Sequence, residues 1–179
     1  MAAGWFILLN KIIFLDRDGV INKKAAEHDY VKSWDEFQFL PDIPKAIKLF
    51  TVSGYLVIVV TNQRGIARKI MTMYSLKTIH KNMCDELWKY GAVINDVFVC
   101  PHDKNTCNCR KPNIGLFLQA EQKYHVNKDK SFMIGDSVTD IVAGKKYGIK
   151  TIAIGNNDLG ADYRFDNLLK AAQFITGVK

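Results

Sequence analysis

The 179-residue chain contains no apolar run long enough to cross a bilayer. Its longest nearly uncharged stretch, Ala2 to Leu15, is broken by Asn10 and Lys11 and falls short of the ~20 residues a spanning helix needs. No Lys or Arg stands ahead of Trp5, and no small-residue cleavage site follows, so a secretory signal is not expected and the chain reads as cytoplasmic. Cysteine is scarce: of four, Cys100, Cys107 and Cys109 crowd into ten residues around His102, which points to a metal site in a reducing compartment rather than a disulfide framework. Lys and Arg outnumber Asp and Glu by 25 to 18, giving +7, yet no run of five basic residues and no RNA-recognition signature occurs. The excess reads as a solvated surface that favours anionic ligands, with neither nucleic acid nor membrane as a partner. With 48% hydrophobic residues, one compact domain over residues 1–179 is expected, residues 1–10 being an extension ahead of the first strand.

Apolar runs of strand length occur at Ile12 to Leu15, Leu56 to Val60, Val97 to Val99, Phe132 to Ile134 and Thr151 to Ile154, and are expected to be buried on both faces. Helical patterns lie between them, at Ile43 to Val52, Ser75 to Tyr90, Ile114 to Tyr124 and Asp140 to Tyr147, three of them stopped by Gly54, Gly91 and Gly148. Strand and helix in alternation predict an α/β fold, a doubly wound parallel sheet with helices on both faces. Ligands of such sheets sit beyond the carboxyl ends of the strands.

Those ends carry the chemistry. Asp16 and Asp18, two apart, share one side of an extended chain, and Asp136 ends another strand with Asp140 four residues on. Carboxylates so close repel unless a cation or proton intervenes, and an all-oxygen set suits Mg²⁺; the alternative for Asp16 to Gly19 alone is an ordinary turn. Thr61 and Asn62 follow a strand where a hydroxyl and backbone N–H groups can hold phosphate oxygens, or can cap a turn. Arg110 and Lys111 offer a bidentate donor and a point charge, or mere surface charges. Cys100, His102, Cys107 and Cys109 form a complete tetrahedral set for structural Zn²⁺, with a disulfide, a catalytic thiol or a chance cluster as alternatives. Cys84, Trp5, Trp34 and Trp88 read as packing residues, and His28, His80 and His125 as surface or packing. A zinc-stabilised nucleic-acid module would leave Asp16, Asp18 and Asp136 repelling phosphate.

Taken together, Phe14 to Asn22, Thr61 to Arg68, Cys100 to Pro112 and Gly135 to Asp140 resemble the haloacid dehalogenase superfamily. Within it, the zinc loop followed by Arg-Lys-Pro is similar to the heptose 1,7-bisphosphate 7-phosphatases and their histidinol-phosphatase relatives. The resemblance implies a Mg²⁺-dependent phosphatase that takes the 7-phosphate from D-glycero-D-manno-heptose 1,7-bisphosphate, for surface glycans such as lipopolysaccharide, or alternatively dephosphorylates histidinol phosphate. It implies Asp16 as nucleophile, Asp18 as general acid and base, and Thr61 and Lys111 as stabilisers of the transferring phosphoryl group. Mg²⁺ would be held by Asp16, Asp136 and the backbone carbonyl of Asp18. Substrate contacts would come from Glu27, His28, Asp29, Tyr30, Asn62, Gln63, Arg64, Arg110 and Ser137. Arg64 stands where the family commonly has Ser, and Ser137 where heptose enzymes often carry Lys. A monomer with no large cap domain is expected, since no long insertion separates the motifs.

Overall fold

The structure, a computed structural model, describes residues 9–27 and 29–178; Trp5, His28 and most of the leading extension lie outside the described residues. Six parallel strands form one sheet: β1 (Ile12–Leu15), β2 (Leu56–Asn62), β3 (Asp96–Cys100), β4 (Phe132–Gly135), β5 (Lys150–Ile154) and β6 (Tyr163–Phe165), in the order β3-β2-β1-β4-β5-β6. Among the described residues, five α-helices cover it: α1 (Ile43–Val52), α2 (Met73–Trp88), α3 (Gly115–Tyr124), α4 (Val138–Tyr147) and α5 (Leu168–Thr176).

The two-residue period of the strands sorts their side chains onto two cores. Ile13, Leu15, Val57, Val59 and Ile134 pack against α1, α2 and α5, whereas Ile12, Phe14, Ile58, Val60 and Met133 pack against α3 and α4. The chain winds outward from β1 to β2 and β3, then crosses back to β4 on the other side of β1. The strand order therefore reverses between β1 and β4, and the carboxyl ends of those strands open onto a crevice there.

The expected elements are present, β1 and α1 with the expected limits and others with shifted ones. β2 runs on to Asn62, carrying Thr61 and Asn62 as its last pair, and α4 begins at Val138 because Ser137 and Asp140 close a reciprocal capping box. β3 is not buried on both faces as expected: it is an edge strand, and Asp96 to Val99 are half-buried. β6 and α5 extend the sheet and its cover beyond Ile154, where the sequence reading stopped. Trp88 is 68% exposed rather than packed, because it sits one position past Leu87, about 100° from the buried stripe Leu76, Ile79, His80, Met83 and Leu87. Trp34 does pack, stacked on Phe37 with ring centroids 4.9 Å apart. No described helix is long and apolar enough to cross a membrane.

Candidate active site

A cavity of about 340 Å³ lies at the reversal point, lined among others by Asp16, Asp18, Lys24, Thr61, Asn62, Arg110, Lys111, Asp136 and Asp140. Asp16 is fixed by its position one residue past β1, where its N–H donates to the Ile134 carbonyl of β4 at 3.0 Å. Gly19 turns the chain at φ +91°, and a Cβ there would lie 1.8 Å from Asp136 Oδ2, so only glycine lets the two strand ends approach.

Lys111 is the hub. Its Nζ donates to Asp16 Oδ1 at 2.9 Å and lies 2.6 Å from Asp140 Oδ1, with a side chain only 1% exposed. Burial alone would lower this ammonium, but the carboxylates of Asp140 and Asp16 outweigh it and hold the pKa above the ordinary lysine value. Asn62 clamps the Lys111 backbone on both sides, accepting from its N–H at 3.0 Å and donating to its carbonyl at 3.1 Å. Burial pushes the Asp16 carboxyl up to about 7, with the charges of Asp140 and Asp18 adding to the rise and Lys111 opposing it.

Asp18 faces the other way. Its carboxylate accepts from Arg17 on both oxygens at 2.9 Å, from Asn22 Nδ2 at 2.9 Å and from Gln63 Nε2 at 2.8 Å. Burial would raise this group, yet the Arg17 guanidinium and these donors bring it below the usual carboxylate range. Arg17 is fully buried and is backed by His80 Nε2 at 3.1 Å; burial, then the Arg17 charge, push His80 down to about 3, so its ring is neutral.

One carboxylate oxygen from each of Asp16, Asp136 and Asp140 falls within a 4.8 Å cluster, and Asp136 Oδ1 is buried without a hydrogen-bond partner. An all-oxygen set with an orphaned acceptor fits a hard divalent cation. Asp136 Oδ2 meets Lys24 Nζ at 2.6 Å; burial raises the Asp136 carboxyl and Lys24 partly offsets this. The Cys100, His102, Cys107 and Cys109 ligand atoms form a second cluster, with Sγ to Sγ separations of 3.5 Å for Cys100 to Cys107 and 3.3 Å for Cys107 to Cys109. His102 Nδ1 lies 3.2 Å from Cys109 Sγ, and all four cysteines are free of disulfides. This donor set fits tetrahedral zinc, and the loop it would tie passes directly into Arg110 and Lys111.

Of the residues expected to meet substrate, Glu27, Asp29, Tyr30, Asn62, Arg110 and Ser137 line the cavity. Gln63 and Arg64 do not: Gln63 is buried, donating to Asp18 and to Thr61 Oγ1, and Arg64 pairs with Asp103 on the Cys100 to Cys109 loop. His28 lies outside the described residues. Asp140 is the member of the site that sequence reasoning left off its metal and catalytic set; the capping pattern Ser137-x-x-Asp140 at a strand end was the available signal. Nothing in the sequence pairs Arg17 with His80, which occupies the apolar stripe of α2 as a lone histidine.

The profile of the polynucleotide kinase 3 phosphatase family matches residues 11–167. The D-glycero-beta-D-manno-heptose-1,7-bisphosphate 7-phosphatase of Haemophilus ducreyi is 37% identical over 149 residues, covering 79% of this chain and 80% of the relative. The D-glycero-alpha-D-manno-heptose-1,7-bisphosphate 7-phosphatase of Mycobacterium bovis is 34% identical over 169 residues, 89% of this chain and 88% of its own. The crystal structure of D,D-heptose 1,7-bisphosphate phosphatase from B. bronchiseptica, complexed with magnesium and phosphate, superposes with a TM-score of 0.86 at 30% identity, covering 94% of this chain and 99% of that one. The chain belongs to the haloacid dehalogenase-like phosphatases of the polynucleotide kinase 3 phosphatase family, alongside the heptose bisphosphate phosphatases.

Proposed function

We propose that the protein hydrolyses the 7-phosphate of D-glycero-D-manno-heptose 1,7-bisphosphate through an aspartyl-phosphate on Asp16. The observation that carries this reading is the placement of Asp16, Lys111, Asp136 and Asp140 at one strand reversal, beside an Arg110 whose Nη1 has no partner among the described residues. An Asp16 oxygen attacks phosphorus in line while the bond to the sugar oxygen breaks, leaving the phosphoryl group on Asp16 and the sugar as an alcohol. Lys111 Nζ and the Thr61 hydroxyl hold phosphoryl oxygens where charge develops. Asp18, a carboxylate in its cradle of donors, is in the state that takes a proton from the hydrolytic water. It can donate one to the leaving oxygen because an approaching phosphate, carrying like charge, raises its pKa.

Mg²⁺ would be held by Asp16, Asp136 and the Asp18 backbone carbonyl, with Asp140 adjoining, and when bound it neutralises phosphoryl charge. Zinc at the Cys100, His102, Cys107 and Cys109 cluster would be structural, keeping Arg110 and Lys111 in place. Arg110 is the candidate contact for the second phosphate.

The test is phosphate release with Mg²⁺ from both anomers of the heptose 1,7-bisphosphate and from histidinol phosphate. A preference of ~100-fold in kcat/KM for a bisphosphate, about 2.7 kcal/mol, is expected. Histidinol phosphate turned over as well or better overturns the assignment.

A further inference from the structure

Among the described residues, four cations pair with carboxylates of the cavity, and one of them differs from the rest. Arg17 is locked to Asp18, Lys111 is sealed between Asp16 and Asp140, and Lys32 holds both oxygens of Asp29 at 2.8 Å. Lys24 has no such constraint. It stands on the segment after the Asp16 to Asn22 turn, its side chain is 52% exposed, and yet its Nζ reaches Asp136 Oδ2 at 2.6 Å. The carboxylate it caps is a member of the Asp16, Asp136 and Asp140 oxygen cluster. A divalent cation on the orphaned Oδ1 and the ammonium on Oδ2 share one carboxylate and repel each other, so loading of the cluster weakens the hold of Asp136 on Lys24.

Lys24 shares its cavity wall with a second cation, one of whose donors is free. Lys24 and Arg110 line the same cavity, Arg110 Nη1 is unpartnered among the described residues, and the remaining cation in that wall, Lys111, is immobilised. A flexible four-carbon stem lets Lys24 move its charge several ångströms without backbone change. We propose that Lys24 is a specificity-determining residue: Asp136 holds it while the oxygen cluster is empty, and the charge of a bound divalent cation loosens it to bind, with Arg110, the second phosphate of a sugar bisphosphate. This rests on the bisphosphate reading above and deepens it. Cation and substrate binding are thereby linked with positive sign, since each takes Lys24 away from the competing partner.

Two measurements on the whole chain test this, with Lys24→Met compared with Lys23→Met, an exposed neighbour of equal charge that does not line the cavity. In calorimetric titration with Mg²⁺ and no substrate, Lys24→Met is expected to bind about two- to fivefold more tightly than wild type, the scale of a partly exposed ion pair removed from competition. Lys23→Met is expected to match wild type. At saturating Mg²⁺, the ratio of kcat/KM for the sugar bisphosphate to that for its 7-monophosphate is expected to fall at least about tenfold in Lys24→Met, as for a lost charged hydrogen bond. Unchanged or weaker Mg²⁺ binding overturns the competition, and an unchanged ratio, or an equal fall in Lys23→Met, overturns the specificity role. A wild-type enzyme that does not favour the bisphosphate over the monophosphate overturns the bisphosphate reading itself, a result that the cation titration is independent of.

Discussion

Lys111 and Asp140 form the most deeply buried ion pair of the site, 2.6 Å apart with both side chains 1% exposed. Asp140 thus fixes the lysine that faces Asp16, and it does so from the first turn of α4, where its other oxygen accepts from the Ser137 N–H and hydroxyl. Removing one partner of such a pair leaves the other charge buried and uncompensated. Asp140→Asn is expected to lower unfolding free energy by about 3–5 kcal/mol in denaturant titration, and to lower kcat even where the protein remains folded. A stable variant with native kcat would show that Asp16 alone suffices to hold Lys111.

The Arg17 and His80 contact gives the protein an acid-sensitive element. His80 is pushed down to about 3 in the folded state against an ordinary 6.5, chiefly by burial and then by Arg17. Below pH 6.5 the unfolded chain binds a proton at His80 that the folded protein refuses, so this group's contribution to stability is full above 6.5 and falls as pH drops toward 3. The slope is at most about 1.4 kcal/mol per pH unit. His80→Gln, which keeps an acceptor for Arg17 but does not titrate, is expected to show a shallower loss of stability between pH 6.5 and 4 in chemical denaturation. Parallel curves for variant and wild type would count against this account.

Much of this was legible in the sequence because the relevant signals are local. The run Ile12 to Leu15 followed by Asp16, and Phe132 to Ile134 followed by Gly135 and Asp136, announce buried strands that end in carboxylates, and their meeting follows from the switch in strand order. The Cys and His cluster is likewise a matter of spacing. What stayed hidden depends on side chains far apart in sequence choosing partners. Gln63, two residues past the cavity-lining Thr61, turns inward to Asp18, 45 residues away, and Lys24 reaches Asp136 across 112 positions. β6 is three residues long, too short for a periodic signal, and α5 has a clear stripe at Leu168, Ala171, Ala172 and Ile175 beyond the last recognised motif.

Gln63 and Arg64, adjacent in sequence, are expected to respond in opposite ways. Gln63→Ala removes one donor from Asp18 and one from Thr61, and is expected to lower kcat about tenfold or more with little change in KM, since it acts on the reacting groups through two contacts. Arg64→Ala breaks a half-exposed pair with Asp103, of the kind worth about 0–1 kcal/mol, and is expected to change kcat/KM less than threefold. Steady-state kinetics on the two variants separate these roles. A large KM effect in Arg64→Ala would place its guanidinium against substrate after all.

The Cys100 to Cys109 loop is expected to act on catalysis at a distance. From Pro101 to Asn108 it has almost no buried side chains, so its shape rests on the Cys100, His102, Cys107 and Cys109 cluster rather than on a core. It leads directly into Lys111, whose backbone is clamped by Asn62 on β2, and the Arg64 to Asp103 contact ties it back to the segment after β2. Cys107→Ser is expected to lose stoichiometric zinc by elemental analysis. It should retain the sheet by circular dichroism, because the two cores lie on β1, β2 and β4, and should lose most of its activity as Lys111 and Arg110 lose their anchorage. Full activity in a zinc-free protein would mean that Asn62 and the buried pair with Asp140 hold Lys111 without help, and would reduce the cluster to a surface feature.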